Sequence, residues 1–382
     1  MTRAVRRPPF ECIALTLQGG GALGAYQAGV YQGLAAAGLH PDWVAGISIG
    51  AINAAIIAGN PPETRVGRLR EFWNSATSEP YSKLFSTICL PSHPDREQRK
   101  FVNQISAAAA LTTGVSGLFK PRLLPPLLSP SGSLDATSYY ESKPLLRTLE
   151  RLVDFDRINN GTMRFSAGAV NVETGNFVYF DSTKHKIVPE HIMASAALPP
   201  GFPMIEIDGE HYWDGGLVSN TPLQWVLQYG VRQDTLTFEV DLWNARGKSP
   251  RNIMEVATRQ KEITYSSRTR ENIDQFREMQ RVRHAVARLI EEAPERLDGT
   301  SDACGFLKSF ADRKVYSVVH LIYHTSAYEG NSKDYEFSRA SMSDHWRAGY
   351  HDTVRALQHP EALARPTNVD GFATYDFADH DT

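Results

Sequence analysis

Twice in its first sixty residues the chain runs from a short apolar stretch through a small-residue turn into a helix-patterned segment. Ile13-Ala-Leu-Thr-Leu17 ends in Gln18-Gly-Gly-Gly21, and residues 26–37 read as a helix stopping near Gly38. Trp43-Val44-Ala45 ends in Gly46-Ile-Ser-Ile-Gly50, and residues 51–58 read as a second, closely packed helix. Strands separated by helices at this spacing need crossover connections. The alternation therefore predicts an α/β fold with a mainly parallel central sheet sandwiched by helices.

Further strands are expected over residues 163–170 and 177–181, around a Glu-Thr-Gly turn, and over residues 236–242. Between them, the segment 204–216 reads as a hairpin turning at Asp208-Gly209. Beyond Ser249 the character changes. Residues 251–297 form a polar helical stretch with apolar positions at Ile273, Phe276, Met279 (or Gln280), Val282, Val286 and Leu289. A strand over 315–324 and a helix over 343–357 follow. The reading divides the chain into a domain at 10–245 and an α-rich extension at 250–365.

Composition narrows the function classes. The 382 residues are 42% hydrophobic and 22% charged, with a formal net charge of −3. That is ordinary globular composition with no global signal for nucleic acid. Cys12, Cys89 and Cys304 are odd in number and widely spaced, so no disulfide framework or metal site follows from them. The N-terminus places arginines ahead of an apolar run, as a secretory signal does, but Pro8-Pro9 and Glu11 intervene and the run ends in Gln18 and three glycines. No apolar stretch approaches the about 20 residues of a membrane span. A cytoplasmic protein is expected, with peripheral membrane contact left open.

The second turn carries chemistry. Gly46-x-Ser48-x-Gly50 at a strand-to-helix junction is the setting of a nucleophile elbow, although a capping serine in any βα turn gives the same pattern. The first turn, Gly19-Gly20-Gly21-Ala-Leu-Gly24, matches the dinucleotide-binding pattern of glycines. That reading asks for an acid at the end of the second strand, and Asp42 stands before it. Unhindered amides at a helix start also make an oxyanion hole. The base for an acyl-transfer serine is either one of twelve scattered histidines or Asp214 in Asp214-Gly215-Gly216, which in isolation reads as an ordinary Asp-Gly turn.

In order and spacing, these three motifs resemble the patatin-like lipid acyl hydrolases, as does Ala194-Ser-Ala-Ala-Leu-Pro-Pro-Gly-Phe-Pro203 ahead of Asp214. The resemblance covers about residues 10–245. It implies Ser48 as nucleophile, Asp214 as base in a Ser–Asp dyad, and Gly19, Gly20 and Gly21 as the oxyanion hole. Gly24, Gly46, Gly50, Gly215 and Gly216 are the motif glycines, and no metal or cofactor is implied. Many relatives carry Arg or Lys where this chain has Leu23, so a cation near the hole is missing here.

The extension resembles one found in some bacterial members, notably in Lys333-Asp-Tyr-Glu-Phe-Ser338 and His345-Trp-Arg-Ala-Gly-Tyr350. Its helix over 251–290 carries nine cations (Arg251, Arg259, Lys261, Arg268, Arg270, Arg277, Arg281, Arg283, Arg288) against five acids. Such a helix binds anionic lipid or, more commonly, packs in the fold or on a second copy of the chain. Leucines and prolines over 118–128 suit a lid, an acyl-chain wall or a surface crossover. The leading expectation is a serine hydrolase of lipid or other carboxylic esters. A short-chain or hydroxyalkanoate-oligomer esterase and a non-catalytic lipid- or partner-binding protein are the alternatives.

Overall fold

The structure, a computed structural model, describes residues 5–77, 95–230, 232–266, 269–292, 302–326 and 328–377. Cys89 and the end of the stretch expected as helix to 297 lie outside them. Strand β1 (Cys12–Leu17) leads through a 3₁₀ turn at Gly21–Gly24 into helix α1 (Ala25–Ala36). Strand β2 (Trp43–Ile47) leads into helix α2 (Ile49–Ala58), and helix α3 (Pro62–Ala76) follows. Both turns thus form the strand-to-helix junctions that the sequence predicts.

β3 (Lys120–Pro121) with β4 (Tyr140–Glu141) forms a separate two-stranded pair, and seven further strands complete the sheet. These are β5 (Arg164–Asn171), β6 (Phe177–Asp181), β7 (Ile205–Ile207), β8 (Glu210–Asp214), β9 (Thr235–Asp241), β10 (Tyr316–Ile322) and β11 (Phe372–Asp376). Among the described residues the main sheet has nine strands in the order β11-β10-β9-β1-β2-β5-β8-β7, with β6 on β5. Pairs from β11 to β5 are parallel, and the pairs β5–β6, β5–β8 and β8–β7 are antiparallel, so β6 and β8 run against the other strands. The hairpin turn falls at Asp208 and Gly209, both at positive φ, as a two-residue turn of the twist-matched kind requires.

The sheet does not stop at the boundary expected near residue 245. Strand β10 pairs with β9 along its whole length, and β11 lies beyond the expected end at 365. Lateral pairing between strands eighty residues apart leaves no mark on either strand's own pattern. Helix Arg339–Ala356 then crosses α1 backbone to backbone. A methyl on Gly349 would stand 2.0 Å from Tyr26 O, and one on Gly29 1.9 Å from Trp346 O. Only glycine permits that approach. The described residues from 250 to 377 are therefore helix-rich but share one sheet and one core with the rest.

The stretch expected as one long helix is two, Ile253–Tyr265 and Thr269–Glu292. Ile273 and Phe276 pack on Tyr316, Val318 and Phe372. Burying one such aromatic contributes about 1.5–3 kcal/mol. Further along, the inward face is Gln280, Arg283, His284 and Ala287, whereas Val282 and Leu289 are exposed. The buried polar groups have a use: Gln280 Nε2 donates to Lys314 O at 2.9 Å, and a His284 ring nitrogen lies 3.0 Å from the same oxygen.

Candidate active site

The glycine loop is held from below by Gln18, which is wholly buried. Its Oε1 accepts from Leu242 N at 2.7 Å and Trp243 N at 3.0 Å, and its Nε2 donates to Thr221 Oγ1 at 2.8 Å. Gly19 O accepts from Asn220 Nδ2 and from Trp243 Nε1, each at 2.9 Å. Gly19 N–H is already given to Asn220 O at 3.2 Å, and Ala22 N–H to Asp334 O at 2.8 Å. Among the described residues the amides of Gly20 and Gly21 have no partner. Gly21 sits at φ +55°, which turns the chain into the 3₁₀ segment. Asp42 is at the opposite end of the strands, where its Oδ2 accepts from Ile13 N at 2.7 Å, so it cannot serve a nucleotide at this loop.

Ser48 follows β2 and precedes α2. Its backbone is at φ 56°, ψ −126°, a conformation that costs a non-glycine residue about 1–3 kcal/mol. Two observations account for its persistence. Ser48 N–H donates to both Ser195 O and Ser195 Oγ at 3.1 Å, which fixes the turn from outside. Glycines fix it from inside: a methyl on Gly46 would stand 2.2 Å from Gly50 O, and one on Gly50 2.1 Å from Leu17 O. The side chain makes no capping hydrogen bond to α2, contrary to the plain capping alternative. The hydroxyl stands instead at the positive end of a ten-residue helix.

Asp214 reaches the serine through sheet register. Strand β2 accompanies β5 only as far as the Ile47–Gly168 pair, where the chain turns away at Ser48. The next residue of β5, Ala169, pairs with Asp214, while β6 occupies the other edge. Asp214 thus takes the lane that β2 vacates. It is 1% exposed, and its Oδ1 accepts from Gly216 N at 2.7 Å. Its Oδ2 has no completed hydrogen bond among the described residues. Burial pushes the carboxyl up to about 7, opposed by the Gly216 amide and by the nearby Ser48 hydroxyl, both of which favour the charged form.

Ser48, Asp214, Gly19, Gly20, Gly21 and Gly216 line one cavity of about 260 Å³. Its walls are largely apolar and include Ile49, Ile52, Leu118, Phe119, Tyr140, Leu145, Met193 and Phe202. Of the leucine–proline segment, Leu118 and Phe119 are therefore wall, while Leu123, Leu124, Leu127 and Leu128 lie exposed. A wider polar groove of about 1030 Å³ shares Leu111 and Tyr335 with the cavity and carries Lys100, Lys248 and Arg251. No histidine is among the described residues that line the cavity. Leu23 is wholly buried in the core and does not face it. Cys12 is also buried, which pushes its thiol up to about 12 and leaves it inert. Gly24 abuts Ile49 and Trp73, and Gly215 abuts Gly168 O.

Sequence reasoning missed the groups that brace these motifs. Asn220 also donates to Tyr265 O at 2.8 Å, and Lys261 pairs with Asp334 at 2.8 Å. Tyr265, Asp334, Tyr335 and Phe337, all from the C-terminal region, line the cavity. Isolated side chains at unrelated spacings give no local signal, and only Asn220, six residues past Asp214, is near a motif.

A parallel α/β sheet with a glycine loop and a serine turn at the ends of adjacent strands is an architecture of acyl hydrolases. The sequence model of patatin-like phospholipase matches residues 15–226, and a second, described as patatin phospholipase, matches residues 263–369. The chain belongs to the patatin-like phospholipase family, whose members act on lipid acyl esters. Among solved structures it is similar to VipD from Legionella pneumophila at 15% identity, with a TM-score of 0.38, over 98% of this chain and 76% of that one. No protein of curated function matches. No helix among the described residues is long and apolar enough to cross a membrane.

Proposed function

We propose that the protein hydrolyses lipid carboxylic esters through a Ser48–Asp214 dyad. The observation that carries the reading is a wholly buried carboxylate in the strand lane beside a strained, uncapped serine, at the floor of an apolar cavity. Asp214 takes the Ser48 proton as Oγ bonds to the ester carbonyl carbon, and the carbonyl oxygen becomes the oxyanion. The amides of Gly20 and Gly21 donate to that oxygen, and Gly19, whose amide is occupied, holds the loop in place. The proton passes to the departing alkoxide, leaving an acyl-serine. Water gives its proton to Asp214 as it attacks the acyl carbon, and Asp214 passes that proton to Ser48 Oγ as the acid departs. No metal or cofactor enters these steps.

A carboxyl held near pH 7 suits this work better than a free aspartate at about 3.9, because a base is most efficient with a pKa near the working pH. The polar groove beside the cavity accommodates the head of a lipid and the apolar cavity its acyl chain. Leu123, Leu124, Leu127 and Leu128, exposed beyond the cavity wall, suit peripheral contact with a lipid surface. The cavity's modest volume favours a second reading, a short-chain or oligomeric ester, since ligand pockets usually span about 300–1,000 Å³. Esters graded by acyl length separate the two. Ser48→Ala should lower turnover at least about a thousandfold with an unchanged melting temperature, and a fluorophosphonate probe should label wild type but not the variant. Labelling that persists in Ser48→Ala would place the nucleophile elsewhere.

A further inference from the structure

We infer that Glu239, Asp241 and His320 form a binding site for a divalent first-row transition ion, Zn²⁺ or Mn²⁺, which ties β10 to β9. The register brings them together. Glu239 pairs with His320 across the two strands, and Asp241, two residues on, shares the face of Glu239. On the far side His320 pairs with Asp376 of β11. One ligand atom from each of Glu239, Asp241 and His320 lies within 4.8 Å of the others, the spread of donors around a common ion.

The polar atoms here are buried without adequate partners. Glu239 is 0% exposed, and neither of its carboxylate oxygens receives a hydrogen bond of acceptable geometry among the described residues. His320 Nδ1 lies 2.7 Å from its Oε2. Asp241 Oδ1 is likewise buried and unpartnered, as is the hydroxyl of Thr237 on the same face of β9. Two carboxylates withdrawn from water beside one imidazole are costly, and a single imidazolium balances only one of them. A dication balances both and takes the imidazole as a neutral ligand.

The donor set selects the class of ion. Mg²⁺ and Ca²⁺ favour all-oxygen shells, whereas one imidazole with two carboxylates suits Zn²⁺ or Mn²⁺ and leaves room for water. Of the three, His320 also lines a cavity of about 250 Å³ together with His324 and Asp376. None of the three ligands lines the catalytic cavity, so the ion's part is structural. Asp241 is followed by Leu242, whose side chain backs Gly20, and by Trp243, which bonds to Gly19 O. The site therefore anchors the strand end on which the glycine loop rests.

The test uses the full chain stripped with EDTA, then supplied with Zn²⁺ or Mn²⁺, with Ca²⁺ as control. We expect about one equivalent retained after gel filtration and a melting temperature several degrees higher, reversed by EDTA. In Asp241→Asn, which keeps the shape of the side chain, retention and shift should both be lost. No retained ion and no shift in wild type overturns the inference, as does a variant that responds like wild type. If the variant does not fold, loss of the free-ion EPR signal on adding Mn²⁺ to wild type decides. An undiminished signal at one equivalent overturns it.

Discussion

The residues proposed to do the chemistry and the residues that brace them are built in different ways. Ser48 and the glycine loop each sit inside a few consecutive residues, where neighbouring glycines are required by distances near 2 Å. The C-terminal region contributes through single groups far apart in sequence: Tyr265 O to Asn220, Asp334 O to Ala22, Lys261 to Asp334. A turn that stores backbone strain needs its glycines within the turn itself, two residues either side of Ser48, even though Ser195 also holds it from outside. A brace needs only an acceptor at the right place, and any element that arrives there can supply it. The contrast predicts that substitutions in the first region act on chemistry and those in the second on its precision.

The largest effect should come from Asp214→Asn. Turnover should fall by orders of magnitude, because an amide cannot take the serine proton. The same change should raise the melting temperature at pH 8 and leave it nearly unchanged at pH 4. The folded-state pKa of Asp214, about 7, is raised above the unfolded value of 3.8. The group's contribution is therefore intact below about pH 4 and is lost as pH rises through about 7, so removing its charge helps only at high pH. Circular dichroism melts at the two pH values check this. Equal shifts at both would mean that the carboxyl is not held by burial.

How much of this was readable beforehand follows the same division. The strand-to-helix turns at Ser48 and at the glycine loop, and the hairpin at Asp208-Gly209, were legible because turn chemistry is local. The parallel sheet followed from the alternation of strands and helices. The placement of Asp214 in the lane left by β2 was not legible, since it depends on where β2 ends relative to β5. Nor was the amide of Gly19, spent on Asn220, distinguishable from those of Gly20 and Gly21. The junction of β9 with β10 was missed for the same reason: Glu239, Asp241 and His320 meet only through register.

Asn220→Ala sharpens the comparison at intermediate size. It removes donors to Gly19 O and Tyr265 O, each worth about 1 kcal/mol, while Trp243 still holds Gly19 O. We expect about a tenfold loss in kcat, about 1.4 kcal/mol, with KM for a soluble ester little changed. A loss confined to KM would mean that the brace shapes the cavity instead of the oxyanion loop.

The smallest effect is expected at the basic helix. Arg277 pairs with Asp274, Arg281 with Glu278 and Asp370, and Arg259 with Glu262. Cations already matched by acids offer little to an anionic surface. Reversing Arg277, Arg281 and Arg288 to Glu should leave binding to anionic liposomes unchanged. A salt-sensitive loss with intact turnover of a soluble ester would make this helix a membrane-targeting element.

The central claim is that a buried aspartate, and not a histidine, takes the proton of Ser48. The rate of Ser48 acylation by an activated ester, followed from pH 4.5 to 9, tests it most directly when wild type is compared with single His→Ala variants. The account predicts a rate that rises through an apparent pKa of about 7 and then stays level, with the same curve in every histidine variant that folds. A limb near the ordinary aspartate value, or its disappearance in any one histidine variant, would contradict it.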